Sequence, residues 1–151
     1  IYVSYLNKQE ELEVMRRMSD MNFKAEVNPI LNKDDIFRIK DEINKIAISE
    51  SLEKYIIELV FATRNPNEYG LKNEAEYIMF GASPRASINL NIAAKAMAFL
   101  AGRNYVLPED IKEVAIDTLN HRILLNYEAE ADGVTTKQII DSILQKISIG
   151  K

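Results

Sequence analysis

Apolar residues recur along most of this chain at spacings of three and four, the period of an amphipathic helix. Asn7, with Glu10 three residues on, has the form of a capping box and predicts a helix from Lys8 to Ser19. Asn32 heads a second helix with the face Ile36, Ile39, Ile43, Ile46. Asp34 and Asp35 sit in its first turn, where the helix dipole favours acids. Ser49 heads a third, with Leu52, Ile56, Leu59, Val60 and Thr63 on one face, stopped by Asn65 and Pro66. Ser83-Pro84 opens a fourth, a cap followed by proline at the first helical position, and Gly102 ends it. Its predicted inward stripe is Ile88, Ile92, Ala96 and Phe99, and its many alanines let neighbouring helices approach closely. Pro108-Glu109-Asp110 opens a fifth, with Ile111, Val114, Ala115 and Thr118 inward. Thr135 and Gln138 form a capping box for the last, with Ile139, Ile140, Ile143, Leu144 and Ile147 inward.

The segments between these helices read differently. Residues 65–82 are irregular, with a short apolar run at Tyr77–Phe80, and Arg122–Tyr127 reads as extended. At the start, Ile1, Val3 and Tyr5 alternate with Tyr2 and Ser4, the pattern of a strand, although a lone strand is not stable. The expected fold is mainly all-α: a helical bundle with a short N-terminal strand and a small two-stranded element.

Composition narrows the chemistry more than the fold. The chain has 151 residues, the length of one domain, with 47% hydrophobic and 28% charged residues. It has no Cys, which removes disulfides, thiolate zinc sites and Cys nucleophiles. One His, His121, cannot build a multi-histidine metal site. The net charge is −4 and the basic residues are dispersed, so neither a nucleic-acid-binding stripe nor the basic face of a DNA-reading helix-turn-helix is expected. No apolar run approaches the roughly 18 residues of a membrane span. With no targeting signal either, the cytoplasm is the default location. The chain begins at Ile1, which reads as an internal piece of a longer protein.

Several nucleotide and metal motifs fail on inspection. A P-loop needs G-x-x-x-x-G-K-[ST], because glycine amides wrap the phosphates and the lysine reaches them. The one Gly-Lys pair is Gly150-Lys151, and the residue five before Gly150 is Gln145. Val114-Ala115-Ile116-Asp117 comes nearest to a strand ending in a magnesium-holding acid, but it lies in a helical pattern. Glu128, Glu130, Asp132 and Gly133 match the first half of a calcium loop. The bidentate acid would then fall on Ile139, so residues 128–132 read as a solvated acidic loop. His121-Arg122 follows the fifth helix, where a cation pair suits the dipole. Arg64 ends the third helix and invites the same reading, with contact to an anionic ligand as its alternative.

Arg85 is the exception. It sits in the first turn of a helix, where a cation opposes the dipole, while the second, third and fifth helices place acids there. A single broken rule marks a candidate site. A helix N-terminus and a guanidinium fork together suit a phosphate, through Ser83, Pro84, Arg85 and Ala86. The competing reading is that Arg85 pairs with a nearby carboxylate or lies exposed.

Gly81–Ile88, Ala93-Ala94-Lys95-Ala96, Gly102-Arg103-Asn104-Tyr105-Val106 and Pro108-Glu109-Asp110-Ile111 resemble, in order, the C-terminal part of the MoxR-type AAA+ ATPases. His121-Arg122-Ile123, the run Tyr127–Gly133, and upstream Tyr55-Ile56 through Ala62-Thr63-Arg64 continue the likeness. The resemblance implies a helical lid over residues 7–151, preceded by the last strand of a nucleotide-binding core at residues 1–6. It implies that Arg85 is the sensor-2 arginine. It also implies ATP and magnesium bound mainly by the missing core, with no cofactor expected for this chain alone. The P-loop, magnesium-holding acids, sensor-1 residue and arginine finger would all lie outside the chain, which is then no enzyme by itself. Implied partners are the chain's own core, neighbouring subunits of a ring, and a protein carrying a von Willebrand A domain. The implied role is chaperone-like maturation of other complexes, and whether Arg85 serves its own subunit or a neighbour stays open. A helical interaction or oligomerisation module without nucleotide contact is the alternative.

Overall fold

The computed structural model describes residues 3–24 and 27–150. The chain divides into two compact units, Ile1–Phe37 and Arg38–Lys151. In the first, α1 (Lys8–Met18) starts where its box predicts. The Asn7 side chain accepts from the Gln9 and Glu10 amides, both at 3.0 Å, and the Glu10 carboxylate accepts from the Asn7 amide at 2.9 Å. No residue of α1 is buried. The strand expected over Ile1–Tyr5 is not formed at Val3–Tyr5, which are exposed and join no sheet; Ile1 and Tyr2 lie outside the described residues. An isolated extended segment has no edge to bond to, and its backbone stays solvated.

Helix α2 (Lys33–Asn44) begins in the first unit and continues into the second. Its predicted face is only partly inward: Ile36 is exposed, Ile39 and Ile43 are half-buried, and Ile46, beyond the helix end, joins the core. The core of the second unit is built on α3 (Glu50–Arg64), α5 (Pro84–Leu100), α6 (Pro108–Leu119) and α8 (Thr136–Lys146). Helix α5 packs most extensively on α6 and next on α3, while α8 packs on α3 and α6. A parallel bridge between Ala47 and Tyr105 joins the segment after α2 to the segment after α5. Gly102, at φ +70°, turns the chain out of α5 in the left-handed region that a side chain disfavours.

The inward face of α5 departs from the sequence expectation. Ala86, Leu90, Ala94 and Ala98 are fully buried, whereas Ile88 and Ile92 are 58% and 56% exposed. Residues two apart on a helix lie on nearly opposite sides, so Ile88 and Ile92 face away from the core, while Ala96 is half-buried and Phe99 packs against the core as expected. Three alanines and Leu90 form the seam with the neighbouring helices.

Two segments are more ordered than expected. Residues 65–82 hold a 3-10 turn (Pro66–Tyr69), α4 (Lys72–Tyr77) and β1 (Ile78–Phe80). Strand β1 pairs antiparallel with β2 (Leu124–Leu125), Ile78 opposite Leu125 and Phe80 opposite Leu124, with an irregularity between. This is the small two-stranded element. The acidic loop at 128–132 is mostly a helix, α7 (Tyr127–Ala131), because Asn126 caps it, accepting from the Ala129 amide at 3.0 Å, and Ala129 is fully buried. Asp132 accepts from the Tyr77 hydroxyl at 3.0 Å.

Candidate functional site

The predicted site residues converge on one corner, where α3 ends and α5 begins. Ser83 takes the extended N-cap conformation (φ −76°, ψ 169°), but its hydroxyl makes no capping hydrogen bond. The cap is carried by the backbone alone, the Ala86 amide donating to the Ser83 carbonyl at 2.8 Å. This corrects the expectation of a side-chain cap. Pro84 occupies the first helical position, and the first turn holds no acid. Ala86 is fully buried and anchors the turn, while Ser83, Pro84 and Arg85 are exposed. Among the described residues nothing pairs with Arg85. Of the competing reading of Arg85, pairing with a carboxylate or lying exposed, the first half is absent among the described residues; an exposed guanidinium at a dipole-positive helix end is common to its second half and to the phosphate reading.

Arg64 is drawn to the same corner. Its Nε donates to the Ala82 carbonyl at 2.6 Å, and its guanidinium lies 5.0 Å from the centroid of the Phe61 ring. Thr63, fully buried beside it, accepts from the Ala82 amide at 2.9 Å and donates to the Val60 carbonyl at 2.7 Å. Both polar groups of the Ala82 peptide unit pair are thus captured by consecutive residues of α3. Gly81 lies so close that a Cβ there would sit 2.3 Å from the Thr63 carbonyl oxygen. A shallow groove of about 320 Å³ bordered by Arg64, Asn67, Ile78 and Gly81 opens beside this turn. Sequence reasoning placed Thr63 inward and singled out both arginines, but it missed that Thr63 and Gly81 build the corner. The signal was a glycine in a glycine-poor chain, standing directly before the helix that carries Arg85.

Other polar side chains lie away from this corner. The Arg122 Nε donates to the Thr118 carbonyl at 2.9 Å, satisfying the end of α6, and His121 is exposed beside it. Asp110, at the start of α6, is buried against Arg103 and accepts from the Leu107 amide at 2.7 Å. Burial pushes the Asp110 carboxyl up, but the Arg103 guanidinium and the Leu107 amide outweigh it and hold it below the usual carboxylate range. Tyr69 is pushed up to about 12, by burial first and then by its hydrogen bond to Glu58. Among the described residues no cluster of three or more acids or histidines can hold a metal. Nor is any helix long and apolar enough to cross a membrane.

The chain is similar to known proteins over most of its length. The model of the AAA lid domain matches residues 71–143, a span that includes the whole of α5. Chaperone MoxR1 of Mycobacterium tuberculosis is 36% identical over 149 residues, covering 99% of this chain and 39% of its own. Protein MoxR of Paracoccus denitrificans is 36% identical over 107 residues, covering 67% of this chain and 31% of its own. A crystal structure of a candidate ATPase from Cytophaga hutchinsonii, 66% identical, superposes with a TM-score of 0.84 over 100% of this chain and 46% of its own. The chain spans less than half the length of these relatives. The lid-domain match, the MoxR identities and the shared helical architecture place the chain in the MoxR family of AAA+ ATPases, as its helical lid region.

Proposed function

We propose that this lid works in an intact ATPase whose nucleotide-binding core precedes it, and that Arg85 is its sensor-2 arginine. The observation that carries the reading is an exposed guanidinium, without a partner among the described residues, on the first turn of an acid-free helix. A terminal phosphate fits that end: backbone amides, dipole and guanidinium favour an anion together. Nucleotide and magnesium, held mainly by the core, supply the phosphoryl chemistry. Ser83, Pro84 and Ala86 shape the turn, Arg85 stabilises phosphate charge and registers its presence, and the lid moves against the core as a bundle. In this reading residues 1–6 are the last strand of the core and 7–151 the lid. Subunits assemble into a ring, and turnover drives chaperone-like maturation of partner complexes with a von Willebrand A domain protein. The exposed Ile88 and Ile92 favour one second reading, a module that only docks partners.

The test is Arg85→Ala in the full-length protein. The expected result is at least an approximately tenfold loss of ATP turnover with the lid still folded. Arginines that stabilise phosphoryl transfer are worth up to ~10³–10⁵ in rate. Unchanged turnover with a normal circular dichroism spectrum rejects the sensor role and leaves the docking module.

A further inference from the structure

We propose that Arg64 is the positioning residue for Arg85, and that with Thr63 it clamps the end of α3 to the backbone that starts α5. The proposal rests on the sensor reading of Arg85 and concerns how that residue is held. Four observations at one place support it. The Thr63 hydroxyl and the Arg64 Nε take the amide and the carbonyl of Ala82 at 2.9 and 2.6 Å. The Thr63 hydroxyl is itself fixed by the Val60 carbonyl at 2.7 Å. The Phe61 ring lies 5.0 Å from the Arg64 guanidinium. Gly81 brings its backbone against Thr63 and Arg64 with no space for a Cβ.

The Ser83 hydroxyl makes no cap, so no side chain of α5 ties its first turn, which is held within the helix only by the Ala86 amide on the Ser83 carbonyl and by Pro84. The rest of the hold comes from α3. Arg85 lies three residues past the clamped peptide, so a shift at Ala82 displaces its guanidinium directly. A misplacement of ~1 Å at a reacting group can cost about 100-fold in rate. Arg64 therefore acts through Arg85 and not on the phosphate.

The side-chain chemistry of position 64 separates these two roles. Glutamine places an uncharged N–H donor at the same number of bonds from Cα as the arginine Nε. Lysine keeps the charge but has a methylene at that place. In the full-length protein, a clamp predicts that Arg64→Ala and Arg64→Lys lower kcat about tenfold while Arg64→Gln recovers most of it. Thr63→Val, which removes no cation, should lower kcat as well. Adding Arg64→Ala to Arg85→Ala should cost less than about a further twofold, since residues acting as one unit are not additive. Rescue by lysine and not by glutamine, or losses that multiply in the double variant, would overturn the clamp while leaving the sensor role of Arg85 intact. Amide hydrogen exchange at Ala82 and Ser83 in this chain, expected to speed up in Arg64→Ala and not in Arg64→Gln, decides the clamp independently of turnover. Unchanged exchange in Arg64→Ala also overturns it, even if Arg85→Ala proves silent.

Discussion

Asp110 offers the sharpest test of how the bundle is held. It is 4% exposed and accepts three hydrogen bonds, from Arg103 Nη1 at 2.9 Å, Arg103 Nη2 at 2.5 Å and the Leu107 amide at 2.7 Å. Charge-assisted bonds contribute ~1.5–3 kcal/mol each. Their sum overstates the net effect, because burying the carboxylate has a cost that the Asp110→Ala variant avoids. Breaking a buried pair typically costs ~3–5 kcal/mol through the charge left behind. Here the Arg103 side chain keeps 23% of its surface exposed and rehydrates, so the lower part of that scale applies. The variant also removes the acid that holds the first turn of α6, the Leu107 amide losing its acceptor. The expected loss is about 3 kcal/mol at pH 7, read as a lower urea midpoint at unchanged slope. Because the folded carboxyl titrates below its unfolded value, the contribution is present in full above the unfolded pKa near ~4. It disappears as pH falls through the folded one. The gap between wild type and variant should therefore narrow below pH ~4. A loss under ~1 kcal/mol at pH 7, or a gap that widens on acidification, refutes the reasoning.

Gly81→Ala should lower stability by about 1–3 kcal/mol, since its Cβ would overlap the Thr63 carbonyl and force the turn off α3; an unchanged thermal midpoint contradicts that packing. Leu90→Ala should cost ~2–5 kcal/mol and Ile92→Ser no more than ~0.5 kcal/mol, as chemical denaturation of both variants would show. A larger loss at Ile92 than at Leu90 reverses the assigned face of α5.

What could be read from the sequence follows the range of the interactions. The caps at Asn7, Ser49 and Thr135 depend on residues two or three positions away, and each stands where the sequence puts it. The oddity of Arg85 was visible for the same reason, being a conflict between one side chain and its own helix. The inward face of α5 was not, because choosing alanines over isoleucines depends on how close the neighbouring helices come. Helices α4 and α7 have six and five residues, too few for a period of 3.6 to declare itself. The corner that holds the candidate site joins Thr63 and Arg64 to Ala82, 19 and 18 residues away, and no local pattern encodes such a contact.

The alanine seam of α5 gives the lid a mechanical character. Alanine has no side-chain torsion beyond its methyl, so Ala86, Ala94 and Ala98 offer no rotamer change to take up a displacement. Of the four buried residues on this face only Leu90 can change rotamer; at the three alanines the seam yields only if backbones part. The helix has 17 residues, about 25 Å at the usual rise per residue, and runs from Arg85 to the bend at Gly102. A displacement at its first turn therefore meets few side-chain joints that could absorb it before the far end, where the Arg103–Asp110 pair ties the chain just past α5 to α6.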